Sequence, residues 1–287
     1  MRFGAITFPW SPDLQSLAPT SLSAAVAPFE RAWHHRELIR AVVRRELTVR
    51  FRGSVLGPLW AVLSPLVMLL TYTALFSITL PQLSEGMSIA KYAAGIFIGL
   101  TVFNLFSELA YRAPMLLHEH VTFVKKSIFP SETIAWVATI RAFVYAGVSF
   151  AVYMAFRLVT AQELPWTILL TPLLVIPFAC FMMGLVWFLM ALGAFTRDVA
   201  HIMVSVVPVL MFATPIFYRL SQMPPKLTFW LRFNLIGDYI EMLRGVALDG
   251  VLPDPFAYVA LVVVSYGVFI FGYQFFMRYK SVIVDVI

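Results

Sequence analysis

The sequence predicts an all-α polytopic membrane protein with six transmembrane helices. An N-terminal amphipathic interface helix precedes them, and an external re-entrant helix pair lies between spans five and six. Three observations lead there. Of the 287 residues 61% are hydrophobic and only 13% are charged, too few charges to coat a soluble domain of this size. The apolar residues form runs long enough to cross roughly 30 Å of hydrocarbon as helices. The basic residues flank those runs, so a formal charge of +6 reflects orientation in a membrane rather than contact with nucleic acid.

Residues 1–29 lack the continuous apolar stretch of a signal peptide, and their Pro, Ser and Ala content predicts a flexible cytoplasmic tail. Residues 30–54 follow as the interface helix. Leu38, Ile39, Val42, Val43 and Leu47 share one half of its wheel, and Arg36, Glu37, Arg40, Arg44 and Arg45 share the other. This is the pattern of a helix lying on a membrane surface, either as a simple anchor or as a contact surface for another protein. Glu46 falls on the apolar side and requires a partner there. Gly53, Gly57 and Pro58 mark an abrupt joint where the basic stretch becomes apolar.

Run lengths place the spans at 55–80, 92–111, 131–156, 164–195, 199–217 and 256–277. The fourth run exceeds an upright span, with Pro172 and Pro177 as candidate kink points. With both termini cytoplasmic, 14 of the 21 Lys and Arg residues lie inside and six outside, with Arg141 inside a span. The reverse orientation would invert this bias. Cys180 is the single cysteine, so no internal disulfide and no oxidising compartment are implied.

The inner segment 112–130 carries Leu117, Val121, Val124 and Ile128 at helical spacing. Its His118, Glu119 and His120 do not form a metal motif, because residues two apart point to different sides of a helix. A short cytoplasmic helix docking on a partner fits better. The outer segment 218–255 reads as two half-apolar helices, "PPKLTFWLRFN" and "LIGDYIEMLRGVAL", broken near Asn234 and Gly237 and dipping into the membrane. Asp238 is explained by capping and pairing, and Glu241 and Arg244 form an i,i+3 pair that neutralises both charges. Re-entrant backbone needs protein or water to cover it, which points to a water-filled path.

Catalytic signatures are missing from the sequence. It has no GxxxxGK[ST], HExxH, CxxC or GxSxG, and its acidic residues are scattered, which argues against an enzyme and against ATP binding through a P-loop. Arg141 lies about 13 Å into the third span and Glu108 near the inner end of the second. They are either a structural pair or a water-facing site. Trp136, Phe143 and Phe150 repeat every seven residues along the third span, while Trp60 and Tyr72 lie on the first. Such rings face lipid or line a path for apolar and C–H surfaces.

"RRELTVRFRGSVLGPLWAVLSPLVMLLTYTALF" resembles the start of ABC-transporter permeases that export polysaccharides and polyol phosphates. Arg50, Phe51, Arg52, Ser54, Leu56, Gly57, Leu59, Trp60 and Pro65 carry the likeness. "FVKKSIFPSE" (123–132) is similar to the inner-loop motif of that family. "NLIGDYIEMLRGVAL" is similar to the stretch after span five, with Leu235 where the family has proline. The resemblance covers about residues 30–280.

It implies a permease domain over 55–280, a homodimer in the bacterial inner membrane, and two separate ATPase subunits that bind the ATP, with no cofactor on this chain. The cargo it implies is an undecaprenyl-linked glycan of O-antigen type. Capsular polysaccharide and teichoic acid are alternatives; a drug exporter or a membrane transferase lies further off. In this reading Leu117, Val121 and Val124 seat in the ATPase, with Glu119 and Lys125 at the rim. Gly53, Gly57 and Pro58 form a gate joint, and Trp60, Tyr72, Trp136, Phe143, Phe150 and Arg141 are candidates for the channel wall.

Overall fold

The computed structural model describes residues 21–79, 88–121, 130–219, 224, 231 and 234–286, and every regular element among them is helical. Helix α1 (Ser21–His34) turns at His35 into α2 (Arg36–Val49). The predicted tail is therefore shorter, since residues 21–29 are helical. Phe29 stacks on Phe269 with ring centroids 5.0 Å apart and meets the edge of Trp136 at 5.8 Å. Packing of this kind stabilises a segment that local propensity alone would leave open. One face of α2 lies on the bundle, where Ile39 and Val43 cluster with Val137.

The joint is a run of three tight turns, in which Arg52 N donates to Val49 O, Ser54 N to Phe51 O and Gly57 N to Ser54 O. Gly53 and Gly57 hold φ of +84° and +48°, the left-handed region that costs other residues about 1–2 kcal/mol. A Cβ at either position would meet nothing within 4 Å, so the requirement is conformational rather than steric. Pro58 then opens a 3-10 turn, Gly57–Leu59, that leads into α3 (Trp60–Thr79). Gly53→Ala is expected to cost about 1 kcal/mol, read as a fall of a few degrees in the melting temperature of the detergent-solubilised protein. An unchanged melting temperature would show that the turn relaxes freely.

The remaining helices are α4 (Ile89–Arg112), α5 (Leu116–Glu119), α6 (Thr133–Val159), α7 (Thr171–Phe195), α8 (Asp198–Ala213), α9 (Leu235–Arg244) and α10 (Pro255–Val286). Among the described residues five stretches are long and apolar enough to cross a membrane: Gly57–Leu75, Ile89–Glu119, Thr133–Val159, Trp166–Phe195 and Pro255–Ile283. The fifth predicted run forms the shorter α8, whose 16 residues rise about 24 Å. The long fourth run resolves into a 3-10 turn, Trp166–Leu170, followed by α7. Pro172 sits in the first turn of α7, where its missing N–H is tolerated, and Pro177 lies inside the helix.

The core centres on α7 and α10, which pack along their length. Their backbones touch at Gly184 and Gly272: a Cβ on Gly272 would stand 2.0 Å from Gly184 O. Small residues permit such close approach, and dispersion then does what water-driven burial cannot do inside a bilayer. Trp187 is fully buried beside this contact, between Phe269, Tyr273 and Trp136. Its Nε1 donates to Glu132 O at 3.0 Å.

Of the two helices expected over 218–255, the first lies mostly outside the described residues. The second is α9, continued by a π-helical turn Gly245–Asp249. Asn234 caps it, accepting from Ile236 N and Gly237 N while its Nδ2 donates to Thr214 Oγ1 and Ala213 O. Gly237 is not a break, as the sequence suggested. It is the third residue of α9, set so close to Pro215 that a Cβ would come within 2.8 Å of the ring. Tyr239 on α9 lies deep in the bundle, its ring 4.6 Å from that of Phe178 and its hydroxyl 2.6 Å from Ser265 Oγ.

Candidate functional site

Glu46, read from sequence as a charge on the wrong face of its helix, is the centre of a polar cluster joining α2, α4, α5 and α6. It lies one turn beyond Val43, so the packing that seats Val43 against α6 carries the carboxylate to the same wall. There it meets Arg141 at 3.4 Å, His120 at 3.4 Å and Arg112 at 3.8 Å. Arg141 turns a second nitrogen to Glu108, 2.8 Å away, and Glu108 also accepts from Arg50 at 3.3 Å. Arg112 closes the far side on Glu119 at 2.8 Å. Arg141 is buried and bridges glutamates on two other helices, and the expected ion pair with Glu108 is formed.

Burial acts to raise the pKa of Glu46. The hydrogen bond with His120 and the charges of Arg141 and Arg112 outweigh burial, and the carboxyl is held below the usual glutamate range. The cluster lines an open cleft of about 780 Å³ together with Arg45 and Val49.

A second carboxylate fastens the same end of the bundle. Glu132, just ahead of α6, accepts from Lys280 at 2.6 Å and Arg31 at 3.2 Å. Desolvation opposes its charged form, but Lys280 chiefly, with Arg31 behind it, holds the pKa low. This residue was not singled out from sequence. Its only signal there is a lone acid ahead of an apolar run, and its partners lie 101 and 148 residues away.

The opposite end is organised by buried arginines. Arg244 forms the expected pair with Glu241, at 3.1 Å, and also donates to the carbonyls of Gly95 and Pro215, at 2.9 and 2.6 Å, and of Ile216. It thereby ties α9 to the start of α4 and to the turn after α8. Asp238 occupies the first turn of α9, where a negative charge suits the helix dipole. Arg157, also missed from sequence, donates to Tyr153 Oη and to the carbonyls of Ala247, Leu248 and Glu163. Asp249 takes Arg219 at 2.9 Å and Lys91 at 3.2 Å.

The aromatic stripe of α6 meets rings of its own bundle. Trp136 meets Trp187, Phe143 meets Phe178 edge-on at 6.0 Å, and Phe150 tilts against Tyr153 at 5.5 Å. Phe143 and Phe150 also border an apolar pocket of about 160 Å³ between α4, α6, α7 and α9. On α3, Trp60 is exposed and Tyr72 is half-buried against Phe217.

The residues expected to dock on a partner divide. Leu117 is fully buried in the chain's own core, because α5 is a single turn tucked beneath α7; it offers no docking surface, contrary to the sequence reading. Val121 is half-buried, Glu119 is exposed and tied to Arg112, and Val124 and Lys125 lie outside the described residues. Among the described residues no group of three His, Cys, Asp or Glu side chains is placed to hold a metal. His118 and His120 diverge: His120 faces Glu46, and the Nδ1 of His118 is buried without a partner.

Span-length apolar helices in close backbone contact, with charges gathered in ion-paired clusters at the two ends, define a multi-pass helical membrane protein. Residues 37–248 match the ABC-2 type transporter family, and the chain belongs to that family, as a transport subunit rather than an enzyme. It is 26% identical over 235 residues to an O-antigen export system permease protein, RfbA, of Myxococcus xanthus, covering 81% of this chain and 88% of the relative. It is 23% identical over 218 residues to an O-antigen export system permease protein, RfbA, of Klebsiella pneumoniae, covering 75% and 82%.

Proposed function

We propose that this chain is the membrane-spanning permease subunit of an ABC exporter that moves a lipid-linked polysaccharide of O-antigen type across the bacterial inner membrane. The reading is carried by its similarity, over most of both chains, to permeases named for O-antigen export. ATP is hydrolysed on separate ATPase subunits, and two copies of this chain enclose the path.

The proposed topology has six spans and both termini cytoplasmic. Arg31 and Lys280 both reach Glu132 at one end of the bundle, which supports an even number of crossings between them. Five crossings would separate them, which favours reading α8 as a sixth. Its following turn reaches the start of α4, where Tyr92 Oη donates to Phe217 O at 3.0 Å. Sixteen helical residues fall short of the hydrocarbon thickness, and the segment 214–217 completes the crossing.

Helices α1 and α2 lie at the cytoplasmic membrane surface, and the ATPase meets Val121, Glu119 and the neighbouring positions 124 and 125. Glu119 holds Arg112, and Arg112 and Arg141 both hold Glu46, so displacement of that loop is felt by α2 and α6. The Gly53–Pro58 joint passes the motion to α3. That helix contacts α4 and α6 and leaves Trp60, Val62, Val67 and Leu70 exposed for the second copy and the bilayer.

Deletion of the gene tests the reading. Surface polysaccharide is expected to disappear while undecaprenyl-linked polymer accumulates inside the cell, and a plasmid copy restores export. Normal surface polymer in the deletion strain would overturn the assignment.

A further inference from the structure

At the end of the bundle marked by Lys91, a polar pocket of about 340 Å³ opens between the start of α4, the end of α6 and the π-helical turn. Its size falls within the roughly 300–1,000 Å³ of small-molecule sites. Ser88, Lys91, Arg157, Gln162, Glu163 and Asp249 supply its polar lining.

The frame is fixed. Arg157 is 4% exposed, and its three bonds from Nη1, to Tyr153 Oη, Ala247 O and Leu248 O, bind α6 to the π-helical turn. Thr167 Oγ1 donates to Val246 O at 2.6 Å on the same seam. Yet two groups in this frame are unanswered. The Nε of Arg157 is buried without a partner, and so are both Nε2 and Oε1 of Gln162. A buried amide that forgoes both its donor and its acceptor costs stability unless a ligand uses them.

The charges say what kind of ligand fits. The lining carries two cations, Lys91 and Arg157, and two carboxylates, Glu163 and Asp249, so the charges of the lining itself balance. Asp249 is already matched by Lys91 and Arg219. What remains is a set of neutral and balanced groups that donate and accept, the amide doing both at once. Neighbouring hydroxyls, each a donor and an acceptor, meet that pattern.

We propose that this pocket binds a sugar residue of the polymer as it emerges on the outer face. The proposal rests on the export reading and on the topology above. A site here would hold the leading segment of the chain after each stroke and oppose its slipping back.

The probe is the oligosaccharide released by mild acid from the strain's own surface polysaccharide. It is added to the permease–ATPase complex in nanodiscs of phosphatidylethanolamine and phosphatidylglycerol and followed by saturation-transfer NMR. Gln162→Leu and Gln162→Ala are expected to weaken binding roughly tenfold. Gln162→Leu should leave the melting temperature unchanged or raised, because an unpaired amide has been removed. A purely structural glutamine would lower it.

Equal binding by wild type and both variants overturns the proposal, as does no binding by wild type. So does a Gln162-dependent signal from the phosphatidylglycerol headgroup in place of the oligosaccharide, which would make this a lipid site. The failures separate: surface polymer lost on deletion of the gene, with no oligosaccharide bound, removes the pocket and leaves the export reading standing. Normal surface polymer on deletion removes both.

Discussion

Arg141→Met is expected to cost the fold about 3–5 kcal/mol, the range found when one member of a buried ion pair is removed. The side chains of Arg141, Glu46 and Glu108 are 10%, 13% and 26% exposed, so water screens only in part the two carboxylates that would lose their shared cation. His120 and Arg112 still reach Glu46 and Arg50 still reaches Glu108, which keeps the loss from growing further. The expected readout is a collapse in monodisperse protein after solubilisation and a melting temperature lowered by many degrees. The triple variant Arg141→Met, Glu46→Gln, Glu108→Gln should recover much of the loss, because neutral amides do not repel and tolerate poor pairing far better than anions do. Arg50→Met provides the contrast. Its side chain is 45% exposed, and pairs of that kind contribute about 0–1 kcal/mol. If Arg141→Met melts with the wild type, the bridge is not what fastens α2 to α6.

Gly272→Val should prevent accumulation of folded protein. The added Cβ would lie 2.0 Å from Gly184 O, 2.6 Å from Gly184 C and 2.8 Å from Gly184 Cα, and in the reverse direction a Cβ on Gly184 would lie 2.3 Å from Val268 O. All these atoms belong to backbone, so no rotamer change relieves the contact and the two helices must separate. Overpacking alone costs about 1–3 kcal/mol, and separation also loosens the packing of Trp187 against Phe269 and Tyr273. Gly267, on the same helix, has nothing within 4 Å of its Cβ position. Gly267→Ala should therefore be neutral or stabilising by up to about 1 kcal/mol, the ordinary gain of alanine over glycine in a helix. Folded yields compared by size-exclusion chromatography decide the matter: a wild-type yield for Gly272→Val would refute close backbone contact as the organiser of this core.

Glu46 and Arg141 show how far the sequence could be read. The wheel of residues 30–52 placed Glu46 among apolar side chains and so demanded a partner, and the depth of Arg141 demanded one as well. Neither demand named the other residue. They lie 95 positions apart in the chain, and helical spacing on one segment carries no information about which face of another segment it meets. The same limit explains Leu117. Its spacing with Val121 marked an apolar face, but that face is the same whether a partner protein or the chain's own α7 covers it. The α6 aromatics met this ambiguity too, because a seven-residue stripe does not show whether rings, lipid or a channel lies opposite.

The sequence by itself determined the helical membrane class, the runs that became the long helices and the glycine-bearing joint. These follow from composition, period and local backbone chemistry, all of which act within a few residues. Only the tertiary structure decided that Glu132 would hold both ends of the chain together and that Arg157 and Arg244 would close the opposite end on bare carbonyls. It also decided that Gly184 and Gly272 would touch. Most of those contacts join residues far apart in the chain; the charged ones exist because polar groups buried in hydrocarbon must find partners within the bundle, and the glycine one because small residues let helix backbones approach closely.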